Sequence, residues 1–369
     1  MPFFQRNFRE LHSSFLIYHC SFLIIVVLFV SGCKNKDNTP LIFYTLLENT
    51  RLRDAPGTEG KEIMQLAKDT PLTDMGEVSS FSTAITLQGV AYNEPWLKVR
   101  APDGRLGWIF AGAVRFDTNN QNETTKLLIN KRLQSFFGKK LTLNIQHYQE
   151  NYANTNTDAA FANTYAQGAQ LRDTIATIFA SKVLIDNQRN LPDLFWMNAA
   201  LPGYIPQLAA EGTSYWLFAD YHTWLAKAQQ TEGKQDNDFV KVCLAVYASD
   251  SIEFFFPSWK IQTTDYEASS ELGKGIHSRI FDQIELTLKN SPLFKPQLLV
   301  FKDKLIDDIT NKNITYWQDK NLIIKELDVI LEKKYSFLNE SEKIALRTRR
   351  QQFETPVENE IRVNVRSGE

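Results

Sequence analysis

Apolar positions along the chain follow three different rhythms. From Phe22 to Val30 every residue is apolar, and the run stops at Ser31-Gly32-Cys33 before the polar stretch KNKDNT. Downstream of Thr50 the rhythm becomes two. Leu97 and Val99 alternate with Trp96, Lys98 and Arg100, the pattern of a half-buried strand. Pro102-Asp103-Gly104 then turns the chain, and Leu106–Phe110 reads as the returning strand. Ala55-Pro56-Gly57-Thr58 is a second turn, and Ala84–Val90 alternates around Gln88-Gly89, which predicts an extra hairpin. Several short strands with Gly, Pro and Asp punctuation predict a small barrel.

From Ile129 onward the spacing is helical. Ile129, Leu133, Phe136 and Phe137 share a face, and Gly138 can end that helix. Further helices are predicted over 161–185, 214–229, 239–247, 276–288, 297–309, 321–337 and 340–352, with Asn237 or Asp238 capping the third. Two stretches alternate like strands, Leu141–Ile145 and Glu360–Arg366, and could pair with each other. The expected fold class is multi-domain. A small all-β barrel at 46–116 is followed by a linker at 117–125 and a mainly α (or α+β) domain at 126–369. No internal repeat is visible.

Composition narrows the function. The chain has 369 residues, 43% hydrophobic and 23% charged, which is the balance of a folded protein long enough for two cores. Residues 1–32 carry Arg6, Arg9 and Glu10, so their removal takes the formal net charge from −2 to −3. No long basic run is present, so a nucleic-acid partner is not expected. Arg347, Arg349 and Arg350 read as a solvated helix face. Of three cysteines only Cys243 lies beyond Cys33, so no internal disulfide framework is expected, and its apolar neighbours predict a buried thiol.

The first rhythm is that of an export signal: Arg6 and Arg9 precede an apolar core too short for a permanent bilayer span. Val30-Ser31-Gly32-Cys33 resembles the lipobox of bacterial lipoproteins, with valine at a position where leucine is commoner. That resemblance implies removal of residues 1–32 as a signal peptide and acyl chains on Cys33, with residues 33–45 as a tether. The expected partner is then a bacterial membrane reached through those chains, at the outer membrane or a periplasmic face.

The second rhythm resembles the bacterial SH3 (SH3b) family. Leu52-Arg53 with Pro56-Gly57-Thr58 matches the family's opening motif, and Trp96-Leu97-Lys98-Val99 with Gly107-Trp108-Ile109 matches its closing hairpin. Ala55 replaces a customary glycine, and the connection from Glu77 to Asn93 is longer than usual. The resemblance implies a binding module for peptidoglycan peptide or an envelope protein. Tyr92, Trp96 and Trp108 are the candidate contact aromatics, because parity sets Trp96 opposite Leu97 and Trp108 opposite Ile109.

Catalytic signatures are scarce. His147, His222 and His277 have no metal-ligand spacing, so neither a metal nor a cofactor is expected. No GxSxG, Walker loop or GxGxxG appears. The acids Glu211, Asp220 and Glu253 are the material for the alternative reading, a carboxylate-dependent cell-wall hydrolase targeted by its barrel. The aromatic stretch TSYWLFADYHTWL invites a stacking groove, but Phe218, Tyr221 and Leu225 are expected to pack in the core.

Overall fold

The computed structural model describes residues 41–116, 121–182, 194, 196–209, 214–248, 253, 255–263 and 267–364. The stretch read as a signal peptide, and Cys33, lie outside these residues. Residues Ile42–Glu369 form a single packed unit. Among the described residues no helix is long and apolar enough to cross a membrane.

Seven antiparallel strands open the unit: β1 (Ile42–Thr45), β2 (Thr50–Arg53), β3 (Glu62–Leu66), β4 (Pro71–Leu87), β5 (Val90–Arg100), β6 (Leu106–Phe110) and β7 (Val114–Arg115). Their order is β3-β2-β6-β5-β4-β1-β7. The sheet is curled, and two register shifts in β4, between Asp74 and Val78 and between Val78 and Ser82, add to its bend. Its inner face buries Phe43, Leu52, Leu72, Leu97, Val99 and Ile109. Gly107 has a steric reason, because a Cβ there would lie 2.6 Å from Leu52 Cγ, where β2 crosses β6.

The expected turns are present. Pro102–Gly104 links β5 to β6, and Gln88-Gly89 links β4 to β5 with Leu87 opposite Val90. The sheet begins earlier than the sequence reading had it: β1 occupies Ile42–Thr45, inside the stretch assigned to the tether.

The rest is mainly helical. The first helix, α1 (Gln121–Asn154), starts inside the stretch read as a linker and absorbs Leu141–Ile145, which the alternation assigned to a strand. Leu141 and Ile145 turn inward at a spacing of four, while Leu143 is 54% exposed, so the burial follows a helical face. Gly138 breaks α1 at φ 73°, ψ 170°, as its position had suggested. Gln146 Nε2 then donates to Asn130 Oδ1 at 3.0 Å. Sixteen residues of unbroken helix would span about 24 Å. The helix therefore folds back on itself at Gly138.

Beyond α1 lie α2 (Asp158–Lys182) and a short α3 (Met197–Ala200), then a hairpin of β8 (Tyr204–Ala209) and β9 (Ser214–Ala219). The expected helix over 214–229 is only half right. Its first part is β9, favoured by the aromatic run Tyr215–Phe218, and α4 (Tyr221–Ala228) starts only after Asp220. Asp220 caps it by accepting from the backbone of His222 and Thr223. Next come α5 (Gln235–Val246), the pair β10 (Lys260–Gln262) and β11 (Ala268–Ser270), α6 (Ile276–Asn290), α7 (Lys295–Thr310), α8 (Lys320–Glu332) and α9 (Glu340–Gln352).

Neither Asn237 nor Asp238 caps α5; the helix begins at Gln235, and Asp158 accepts from the backbone N–H of Asp236 at 3.1 Å. Residues 360–364 form no strand with Leu141–Ile145, since Arg362 bridges Thr315 instead. The core centres on Trp224, fully buried against Tyr152, Phe161, Tyr165 and Tyr204 at 5.0–6.0 Å. Tyr221 and Phe218 are buried and Leu225 is partly so, in keeping with the packing expected of them.

Candidate functional site

The sheet has two apolar faces. Leu97 belongs to the inner core, and Trp96, one residue before it, points the other way into a second cluster with Phe110 and Ala113. Parity was therefore read correctly. Trp96 is 3% exposed, with Nε1 donating to Thr83 Oγ1 at 2.8 Å and its ring 5.6 Å from that of Phe110.

The outer half of the long β4–β5 hairpin provides the cover. Phe81, Ile85, Leu87 and Tyr92 pack against this second cluster, and so does Trp108. All three candidate aromatics thus meet in one cluster. Tyr92 and Trp108 are half-buried, and the Lys98 ammonium lies 5.8 Å from the Trp108 ring.

Beside this cluster runs a groove of about 310 Å3. Its floor is Trp96 and Phe110, one wall is Ile85 and Leu87, and the opposite wall is the β1–β2 turn with Arg51 and Arg53. Of the candidate aromatics only Trp96 lines it. Arg53 is the residue the sequence reading passed over. Its guanidinium carbon lies 5.8 Å from the Trp96 ring, and Nη1 donates to Gly60 O at 2.5 Å. Nε is shielded from solvent and has no acceptor among the described residues. A buried N–H without a partner is costly. Arg53 stood in the opening motif, but its pairing opposite Trp108 is set by the fold and left no signal in the sequence.

The remaining candidates are occupied structurally. Asp220 is a helix cap. Glu253 accepts from Arg172 Nη1 at 2.7 Å and from the backbone of Ala219 at 3.3 Å. Glu211 lies outside the described residues. His222 is exposed, and His277 is buried with Nε2 2.9 Å from Asp308 Oδ2, beside Ser270, whose Oγ donates to the same oxygen at 2.5 Å. Asp308 stands between serine and histidine, so the imidazole does not face the hydroxyl as a general base would. Cys243 is buried, and that burial pushes its thiol up, away from the reactive thiolate. Among the described residues no group of His, Cys, Asp or Glu is arranged to hold a metal.

Arg349 corrects the expectation of a solvated basic face. It is 4% exposed, while Arg350 pairs with Asp328 at 2.8 Å.

No protein-family model matches the chain, and searches of curated proteins and of solved structures return no match.

Proposed function

We propose that the chain is a lipid-anchored protein of the bacterial cell envelope that works by binding, with its curled sheet acting as an SH3-like module. The ligand is an extended peptide, from peptidoglycan or from an envelope protein. The observation that carries this reading is the groove over Trp96 and Phe110 with Arg53 at its side. An apolar floor takes side chains, and the Arg53 guanidinium, lining the groove over a tryptophan, supplies positive charge for a peptide carbonyl or terminal carboxylate. Connectivity supports it as well: a long hairpin, a second hairpin and a single 3-10 turn at Ala111–Ala113 lead into a last strand paired with the first. The lipobox-like Val30–Cys33 supports the placement.

The test is cosedimentation with purified cell-wall sacculi, using the chain without its signal segment and with Cys33→Ser to keep it soluble. The expected result is pelleting that falls about tenfold in Arg53→Ala, the size of one lost charge-assisted hydrogen bond. Equal pelleting of the two proteins would remove the groove from the account. No pelleting of either would exclude the wall peptide and leave the protein partner.

A further inference from the structure

The fold-back of α1 leaves a second recess, apart from the groove on the sheet. Between its two arms lies a cleft of about 680 Å3, and a hollow of about 260 Å3 continues from it toward the β4–β5 hairpin, with Ile129 and Ala199 lining both. We propose that this cleft binds a neutral polyhydroxylated chain, a saccharide oligomer, through the side-chain amides of Asn130, Gln146 and Gln149.

The chemistry of the walls argues for that class. Side-chain amides are the recurring polar group, and each offers a donor and an acceptor for vicinal hydroxyls. Gln146 Nε2 donates to Asn130 Oδ1 and Gln149 Nε2 to Ala200 O at 2.8 Å, and among the described residues the carbonyl oxygens of both glutamines and the NH2 of Asn130 have no partner. Formal charges cancel: Lys126 and Glu150 line the cleft, and Arg132 and Glu94 line the hollow, so neither selects an ion.

Trp196 lines the hollow, with the Arg132 guanidinium carbon 5.4 Å from its ring and an indole N–H that is shielded and lacks an acceptor. With the Phe136 ring 6.0 Å away as well, the indole forms an apolar boundary to the hollow. A peptide is disfavoured on the main wall. That wall is helical, its backbone N–H and C=O groups are already paired, and it offers no strand edge to extend.

This site is separate from the groove beside Trp96, and the two are tested apart. Chitotetraose, maltotetraose and tetraalanine are titrated by calorimetry into the Cys33→Ser chain lacking its signal segment. Asn130→Ala, Gln146→Ala and Arg53→Ala variants are measured alongside, with folding checked by circular dichroism. The expected result is that one saccharide binds, that either amide variant weakens it about tenfold, and that Arg53→Ala leaves it unchanged. Binding of tetraalanine alone, no binding of either saccharide at millimolar concentration, or saccharide binding indifferent to both amide variants would each overturn the proposal.

Discussion

Arg349 shows how much a single residue can carry. Its guanidinium donates to Ile309 O at 3.0 Å, to Asn311 O at 3.3 Å and to Tyr316 OH at 3.3 Å, closing the carbonyl end of α7 from α9. Arg349→Ala removes these charge-assisted bonds, although Ile309 O keeps the Tyr316 hydroxyl and Asn311 O the Ile314 N–H, and is expected to cost about 2–4 kcal/mol in denaturant unfolding. Arg349→Lys is expected to recover little, because an ammonium cannot reproduce the fork. Asp236 is a different case. Burial and the neighbouring Asp158 push its carboxyl up to about 6, while the Thr231 hydroxyl opposes them. A folded-state value above the unfolded one means that the native protein holds this proton longer. Stability therefore falls as pH rises from about 4 through 6 and levels off beyond. Asp236→Asn is expected to flatten that slope, read from unfolding midpoints across the interval, and an unchanged slope would assign it to other groups. At this scale the sequence was legible in part. Alternation set Trp96 and Leu97 on opposite faces, but it carries no information on whether a second layer of chain covers the outer one. Ile85 and Leu87 come from the far end of a hairpin, and only folding places them over Trp96.

Among the elements, α1 is the informative one. Its break depends on Gly138, whose φ of 73° and ψ of 170° lie in a region nearly closed to other residues. Gly138→Ala is expected to destabilise the fold by about 1–3 kcal/mol and to lower the thermal midpoint. No change in that midpoint would mean that the fold-back does not rest on this backbone. The glycine was readable as a helix end, while the continuation of helix on its far side was not. LTLNI alternates by composition, yet Leu141 and Ile145 sit four apart, and tertiary packing against the first arm decided between the two periods. The same contest went the other way at Tyr215–Phe218. There, helical spacing of Phe218, Tyr221 and Leu225 spanned a boundary that Asp220 marks by capping α4. The amphipathic late helices, α6 to α9, were legible because burial on one face dominates each of them. The expected and observed bounds of α9 coincide, helped by the capping box of Asn339 and Glu342.

Over the whole molecule, the sheet and the helices share contacts that the sequence had kept apart. Leu128 of α1 belongs to the inner core of the sheet, Lys131 pairs with Asp74 of β4, and Arg132 Nη2 donates to Ser82 Oγ at 2.7 Å. The stretch read as a linker hides this, because its polar composition says nothing of Leu128 beyond it. Leu128→Ala is expected to cost about 2–4 kcal/mol and to raise hydrogen exchange at the amides of β1 and β4. Faster exchange confined to the helices would contradict a shared core. The functional account, in turn, rests on where this unit is held. A peptide groove on the sheet and an amide-lined cleft in α1 have their proposed ligands at the bacterial wall, and two or more acyl chains on one cysteine would keep the protein there. Labelling of cells with a radioactive fatty acid, followed by isolation of the protein, tests this most directly. The account predicts label in the wild type and in Cys20→Ser, none in Cys33→Ser, and a mature chain that begins at residue 33. A chain that retains Met1 and carries no fatty acid would contradict it.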